Sequence, residues 1–148
     1  MGLPQTKIIL SSAEEMLAFG EKIAKSLRPD SVIALTGDLG TGKTTFVQGL
    51  ARGLKIADPV QSPTFVTLNL YEGTLPLFHF DLYRFKEGAD FFKLGFEEYF
   101  QKGGVCAIEW PQKIADFLPA DTLHIDLQHC EGNKRMALIR EGKNHAVR

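Results

Sequence analysis

The sequence predicts an α/β fold, a mixed parallel and antiparallel sheet flanked by helices, on three observations. Two short apolar runs, SVIALT (31–36) and GVCAIEW (104–110), have the near-continuous hydrophobicity of strands buried on both faces. A glycine-rich turn and then a helical pattern directly follow the first run. Alternating, strand-like stretches lie between the two runs and again near the end of the chain. With 148 residues, 44% of them hydrophobic, the chain can bury a full core, so residues 1–148 are expected to form one domain with a flexible tail at 141–148.

The elements follow in order. Ser11-Ser12-Ala13-Glu14-Glu15 contains two overlapping S-x-x-E capping boxes and starts a helix. Leu17, Gly20, Ala24 and Leu27 continue it at helical spacing up to Pro29. After the strand at 31–36 and the glycine turn, a helix over about 44–54 turns Phe46, Val47, Leu50 and Leu54 inward. PTFVTLNLY (63–71) and LPLFHFDLY (75–83) read as strands joined by a turn at Glu72-Gly73-Thr74. They suggest an antiparallel insertion beside a parallel sheet, with the second strand as its partly exposed edge. ADFFKLGFEEYF (89–100) reads as a helix or pair of helical turns, its aromatics serving the core or, alternatively, a docking surface. The strand at 104–110 ends abruptly in an acid, and Pro111 opens a short helix toward residue 118. TLHIDLQ (122–128) and KRMALIR (134–140) form a last pair of strands around Glu131-Gly132-Asn133.

Composition narrows the function. A net charge of −1 and a pI of about 6.4 argue against a chain whose affinity comes from neutralising nucleic-acid phosphates. Cys106 and Cys130 lack metal-ligand or CxxC spacing and read as reduced thiols. No run approaches the ~20 apolar residues of a membrane span, and MGLPQTKIIL lacks a signal-peptide layout. A soluble cytoplasmic protein with no membrane partner is expected.

Gly37-Asp38-Leu39-Gly40-Thr41-Gly42-Lys43-Thr44 matches G-x-x-x-x-G-K-[ST] at every fixed position. The glycines let backbone N–H groups turn inward as an anion nest, and the next helix presents its free amides to the same oxygens. Lys43 can reach the β/γ oxygens of a nucleotide triphosphate, and the Thr44 hydroxyl can ligate Mg²⁺. Strand, glycine turn and helix are the context such a loop requires, so a P-loop NTPase fold is expected.

Such a site needs an acid at the end of a second buried strand. Asp81 and Glu109 both end strand-like runs. The continuous apolar run before Glu109 favours it over Asp81 as the metal ligand, directly or through water, and the choice between the two acids stays open; with Glu109 at the metal, Asp81 is a second acid. Asp81 then positions the γ-phosphate region or the attacking water, the rival being a surface acid paired with Arg84. His79 alternates with Phe78 and Phe80 and is either a satisfied strand histidine or a catalyst. Trp110 is either core or a flat surface near the nucleotide. Ser62 and Thr64 lie about twenty residues after Lys43, where P-loop switches place a γ-phosphate sensor; an ordinary turn is the alternative.

Guanine specificity has no support, since Asn133-Lys134 is followed by Arg-Met instead of completing N-K-x-D. No arginine-rich lid marks a small-molecule kinase. A minimal ATPase acting on a partner protein remains.

GDLGTGKTTF, SPTF, HFDLYRF and IEWPQ, in that order and spacing, resemble the TsaE (formerly YjeE) family of bacterial ATPases needed for threonylcarbamoyladenosine in tRNAs reading ANN codons. The resemblance runs from the capped first helix to about residue 128. It implies a P-loop fold with a mixed sheet, ATP and Mg²⁺ as cofactors, and slow hydrolysis until the partners TsaB and TsaD join. tRNA would be met only through that complex. It places the loop residues Asp38, Leu39, Gly40, Thr41, Gly42, Lys43, Thr44 and Thr45 at the nucleotide, with Thr44 also at Mg²⁺. Asp81 and Trp110 would lie at the nucleotide and Glu109 at Mg²⁺. It also directs attention to residues 11–13 and to a basic residue, Lys134 or Arg135, near the phosphates. On this resemblance Lys43, Asp81 and Glu109 are the catalytic residues, and hydrolysis resets the complex between turnovers. The alternatives are a nucleotide-gated binding module that needs no hydrolysis and a small-molecule P-loop kinase.

Overall fold

A computed structural model describes residues 5–60 and 68–142. The chain runs β1 (Gln5–Leu10), α1 (Ala13–Lys25), β2 (Val32–Gly37), α2 (Lys43–Gly53), β3 (Leu68–Tyr71), β4 (Leu77–Asp81), α3 (Ala89–Lys93), β5 (Val105–Glu109), β6 (Leu123–His129) and β7 (Arg135–Arg140). Two 3₁₀ helices, Phe96–Gln101 and Pro111–Phe117, flank β5 in sequence. The seven strands form one sheet in the order β1-β7-β6-β2-β5-β4-β3. Its centre, β6-β2-β5-β4, is parallel, whereas β3 at one edge and β7 and β1 at the other are antiparallel. The expected mixed α/β sheet is present.

Two points differ from the sequence expectation. β4 is no edge: it pairs in parallel with β5 and antiparallel with β3, and Leu77, Phe78, His79 and Phe80 are all buried. Its alternation of apolar and polar residues mimics a half-solvated strand, but His79 is fully buried against Glu109 and Asp81 is half-buried. The hairpin is therefore no insertion, because β4 belongs to the parallel core. β1 carries no sequence signal of its own, since five of its six residues stay outside the core, and it forms by pairing with β7. Ser62, Thr64 and the start of the stretch predicted as a strand at 63–71 lie outside the described residues, as does most of the tail at 141–148.

The capping signal at the start of α1 is realised at its second copy. Ser12 Oγ accepts the Glu15 N–H at 3.1 Å, and Glu15 Oε1 accepts the Ser11 N–H at 3.0 Å. α1 buries Met16, Phe19, Gly20 and Ile23, so its inner stripe runs beside Leu17 instead of through it. α1 and α2 pack on one sheet face, and Gly20 makes their close approach possible: a Cβ there would stand 2.4 Å from the Phe46 carbonyl oxygen. Phe46, Val47, Leu50 and Leu54 of the α2 region all enter this core with Ile33, Leu35, Val105 and Ile125.

The opposite face over β4 and β5 is covered by α3 and the first 3₁₀ helix. Phe80, Phe91, Phe96 and Tyr99 pack there with ring centroids about 5.5 to 6.4 Å apart. Within the aromatic segment at 89–100, Phe91 is core, Phe92, Phe96, Tyr99 and Phe100 pack half-buried against it, and Leu94 is exposed. Parity along the strands follows: odd-numbered residues of β4 and β5 look toward α2, and even-numbered ones toward the aromatic layer. No described helix is long and apolar enough to cross a membrane.

Candidate active site

β2 ends in the glycine loop, and α2 begins at Lys43 directly after it. Gly42 caps α2 at φ 101°, a left-handed conformation, and a Cβ there would meet Met16 Cε at 2.9 Å. Gly37, at φ 148°, is similarly bare, since a Cβ would stand 2.6 Å from both the Leu127 carbonyl oxygen and Thr41 Oγ1. Thr41 is turned inward, its hydroxyl and N–H both donating to the Asp38 carbonyl, at 2.7 and 3.2 Å. Asp38, Leu39 and Gly40 form the exposed crest of the loop, with Leu39 91% exposed. Thr44 and Thr45 occupy the first turn of α2 and are half-buried.

The strand parity just described sends Leu77, His79 and Asp81 of β4, and Ala107 and Glu109 of β5, to the α2 side. Asp81 and Glu109 are register partners, so both acids stand at the carboxyl ends of adjacent parallel strands beside the loop. Glu109 is only 5% exposed, and its Oε1 lies 4.0 Å from Lys43 Nζ. Its Oε2 lies 2.6 Å from Nε2 of the fully buried His79. Asp81 is half-buried; its Oδ1 accepts the Tyr83 N–H at 3.0 Å. Burial pushes its pKa up, the Tyr83 amide opposes this, and the neighbouring Glu109 carboxylate raises it further.

Trp110 follows Glu109 at φ 56°, a left-handed conformation that costs a non-glycine residue about 1–2 kcal/mol. The turn swings its ring over Lys43, whose Nζ lies 4.2 Å from the ring centroid. Tyr83 packs on the same indole at 5.0 Å. Trp110 is therefore at the loop lysine, half-buried, and no part of the deep core.

The other side of the loop is met by the β6–β7 hairpin. Arg135 Nη2 donates to the Gly40 carbonyl at 3.2 Å, and His129 Nε2 lies 3.4 Å from the Leu39 carbonyl oxygen. Arg135 and Asn133 line a cavity of about 190 Å³ with Ser12, Ala13, Met16, Gly40, Gly42 and Thr45. Ser12, Ala13 and Arg135, remote in sequence, are thereby brought to the loop. A wider groove of about 460 Å³ lies across the loop, between Asp38, Trp110, Gln112 and Asp126. Sequence reasoning missed His129 and Asn133, because only the return of the hairpin over the loop gives them a place there. It also left His79 undecided, although its parity with Asp81 placed both on one face.

A glycine loop between a buried parallel strand and a helix, with a buried acid facing its lysine from the neighbouring strand, defines a P-loop NTPase-type protein. The family model of threonylcarbamoyl adenosine biosynthesis protein TsaE matches residues 10–137, and the chain belongs to the TsaE family. The tRNA threonylcarbamoyladenosine biosynthesis protein TsaE of Treponema pallidum is 39% identical over 133 residues, which cover 89% of this chain and 98% of the relative. The Bacillus subtilis protein of the same name is 40% identical over 134 residues, covering 90% of this chain and 84% of its own. The crystal structure of Bacillus subtilis YdiB superposes with a TM-score of 0.82 at 33% identity, over 98% of this chain and 91% of that one.

Proposed function

We propose that this chain is an ATP-hydrolysing accessory protein of tRNA threonylcarbamoyladenosine synthesis. It works in the cytoplasm with TsaB and TsaD, meets tRNA only through that complex, and resets it between turnovers. The observation that carries the ATPase part is Glu109, buried at the end of β5 with one oxygen toward Lys43. A buried carboxylate beside a loop lysine is expensive to desolvate and suits a site where phosphate and metal charges meet. The pathway and partners rest on membership of the TsaE family.

The residues present fit Mg²⁺. The Thr44 hydroxyl and the Glu109 carboxylate are hard oxygen donors at the loop, and among the described residues no trio of His, Cys, Asp or Glu forms a separate metal cage. Mg²⁺ is commonly held in this way, by one or two protein oxygens with phosphates and water completing the shell. When bound, it neutralises charge on the β- and γ-phosphate oxygens.

The chain's own groups supply the rest. Loop amides from Asp38 to Thr45, with Gly40 and Gly42 giving close backbone approach, cradle the phosphates. Lys43 neutralises the negative charge that grows on the leaving bridging oxygen and its β-phosphate as the bond to the γ-phosphorus breaks. Asp81, whose partial burial strengthens its hold on a proton, orients the attacking water and accepts its hydrogen. Trp110 fixes Lys43 from above. No covalent intermediate is required, because positioning and charge neutralisation carry phosphoryl transfer to water. Ser62 and Thr64 are assigned the γ-phosphate sensing role on sequence grounds alone.

The purified chain tests this with TsaB, TsaD, tRNA and ATP. Hydrolysis should be slow alone and rise when the partners are added, together with modified tRNA. Rapid phosphorylation of a metabolite without partners would instead establish a kinase. Modification that requires ATP binding but proceeds without hydrolysis would establish a nucleotide-gated module.

A further inference from the structure

Histidine is seldom wholly buried without a reason, and His79 has no exposed surface at all. It sits in β4 on the face that looks toward α2, opposite Ala107 in register and diagonal to Glu109. Its Nε2 is 2.6 Å from Glu109 Oε2, whereas its Nδ1 has no hydrogen-bond partner among the described residues. These two facts select a tautomer. A proton on Nε2 meets the Glu109 acceptor, whereas one on Nδ1 would meet no acceptor among the described residues. Nε2–H then donates to Glu109 Oε2. One carboxylate oxygen is committed to the histidine, and the other, Oε1, faces Lys43 at 4.0 Å.

We infer that His79 is a positioning residue: it holds Glu109 by Oε2 so that Oε1 alone is presented to the loop and to the metal there. The inference rests on the proposal that Glu109 is a metal ligand. Without the histidine, a carboxylate at the end of a glutamate side chain can rotate about its last torsion, which has broad and shallow minima. A hydrogen bond to a metal-ligating carboxylate commonly changes metal affinity about tenfold to a hundredfold. Glutamine can replace the donor, because its side-chain amide can reach where Nε2 stands, whereas leucine fills the space without donating.

The test uses the full chain with Mn²⁺ as the metal probe and a slowly hydrolysed ATP analogue, read by electron paramagnetic resonance. His79→Leu should weaken Mn²⁺ binding about tenfold to a hundredfold, and His79→Gln should stay within about threefold of the unaltered chain. Nucleotide binding in EDTA should be the same in all. If His79→Leu holds Mn²⁺ normally while Glu109→Ala loses it, the inference falls and the metal assignment stands. If Glu109→Ala also holds Mn²⁺ normally, both fall. Equal losses in the leucine and glutamine variants would assign His79 to packing and overturn the inference. Should the leucine variant not fold, the unaltered chain decides through ¹⁵N NMR of its histidines, assigned against His79→Gln. A proton on Nε2 supports the inference; an Nε2 without a proton overturns it.

Discussion

On the β4–β5 side of the P-loop, the groups near Lys43 are acids and a histidine, with Glu109 5% and His79 0% exposed. On the β6–β7 side, Arg135 and His129 reach the carbonyls of Gly40 and Leu39 from the solvent-facing end of a hairpin. The members of the first side come from central parallel strands whose other face packs on Phe80, Phe91 and Phe96. The second side comes from the exposed turn that joins β6 to the antiparallel β7, and its hydrogen bonds are open to water. The difference implies a division of labour: chemistry on the buried flank, and loop bracing and ligand grip on the exposed one. Low dielectric strengthens charge effects on the first and solvent screens them on the second.

Lys43→Ala should give the largest effect, because it removes the cation that Glu109 and Trp110 meet. A loss of about a thousandfold in kcat/KM for ATP hydrolysis by the partner complex is expected, and full activity would remove the P-loop from the account. Asp81→Asn comes next. It keeps the shape and the contact with the Tyr83 amide but cannot take a proton, so kcat should fall about a hundredfold with KM for ATP nearly unchanged. A change confined to KM would move Asp81 from chemistry to binding.

Arg135→Ala probes the exposed flank. The lost bond to Gly40 lies in solvent, so nucleotide affinity should fall only about fivefold, equivalent to about 1 kcal/mol, with kcat preserved. Isothermal titration with ATP measures this, and a kcat loss as large as that of Asp81→Asn would abolish the contrast between flanks.

The two cysteines sample the same contrast with the smallest effect. Burial in β5 pushes the Cys106 thiol up to about 12, whereas Cys130 is exposed at the hairpin. Iodoacetamide at pH 8 should therefore label Cys130 and spare Cys106, as mass spectrometry of the folded chain would report. An unfolded Cys106 ionises near 9.0. Between that pH and about 12 the folded state therefore holds the extra proton, and the contribution of this thiol to stability falls as pH rises through the window. Replacing it with alanine should flatten that part of the stability profile.

The P-loop was legible in the sequence because its constraints are local. Gly37 and Gly42 stand where the backbone is left-handed or where a Cβ would collide, and no other residue type fits. β2 and β5 were legible for a related reason, since burial on both faces leaves an unbroken apolar run. β4 was misjudged because His79 and Asp81 interrupt that run, and local sequence does not tell that Glu109, thirty residues away, receives the histidine. β1 and the bracing by His129 and Arg135 were hidden for the same reason: each exists through partners remote in the chain. Arg135 drew attention only through family likeness, and His129 not at all.

The central claim is that Glu109 makes ATP hydrolysis possible and that hydrolysis resets the partner complex. Counting modified tRNA formed per complex, with the Glu109→Ala chain, TsaB, TsaD and excess ATP, tests it most directly. The account predicts that the variant still binds ATP and its partners but stops at about one product per complex, while the unaltered chain supports many. Continued modification over many turnovers by a variant that does not hydrolyse ATP would contradict it.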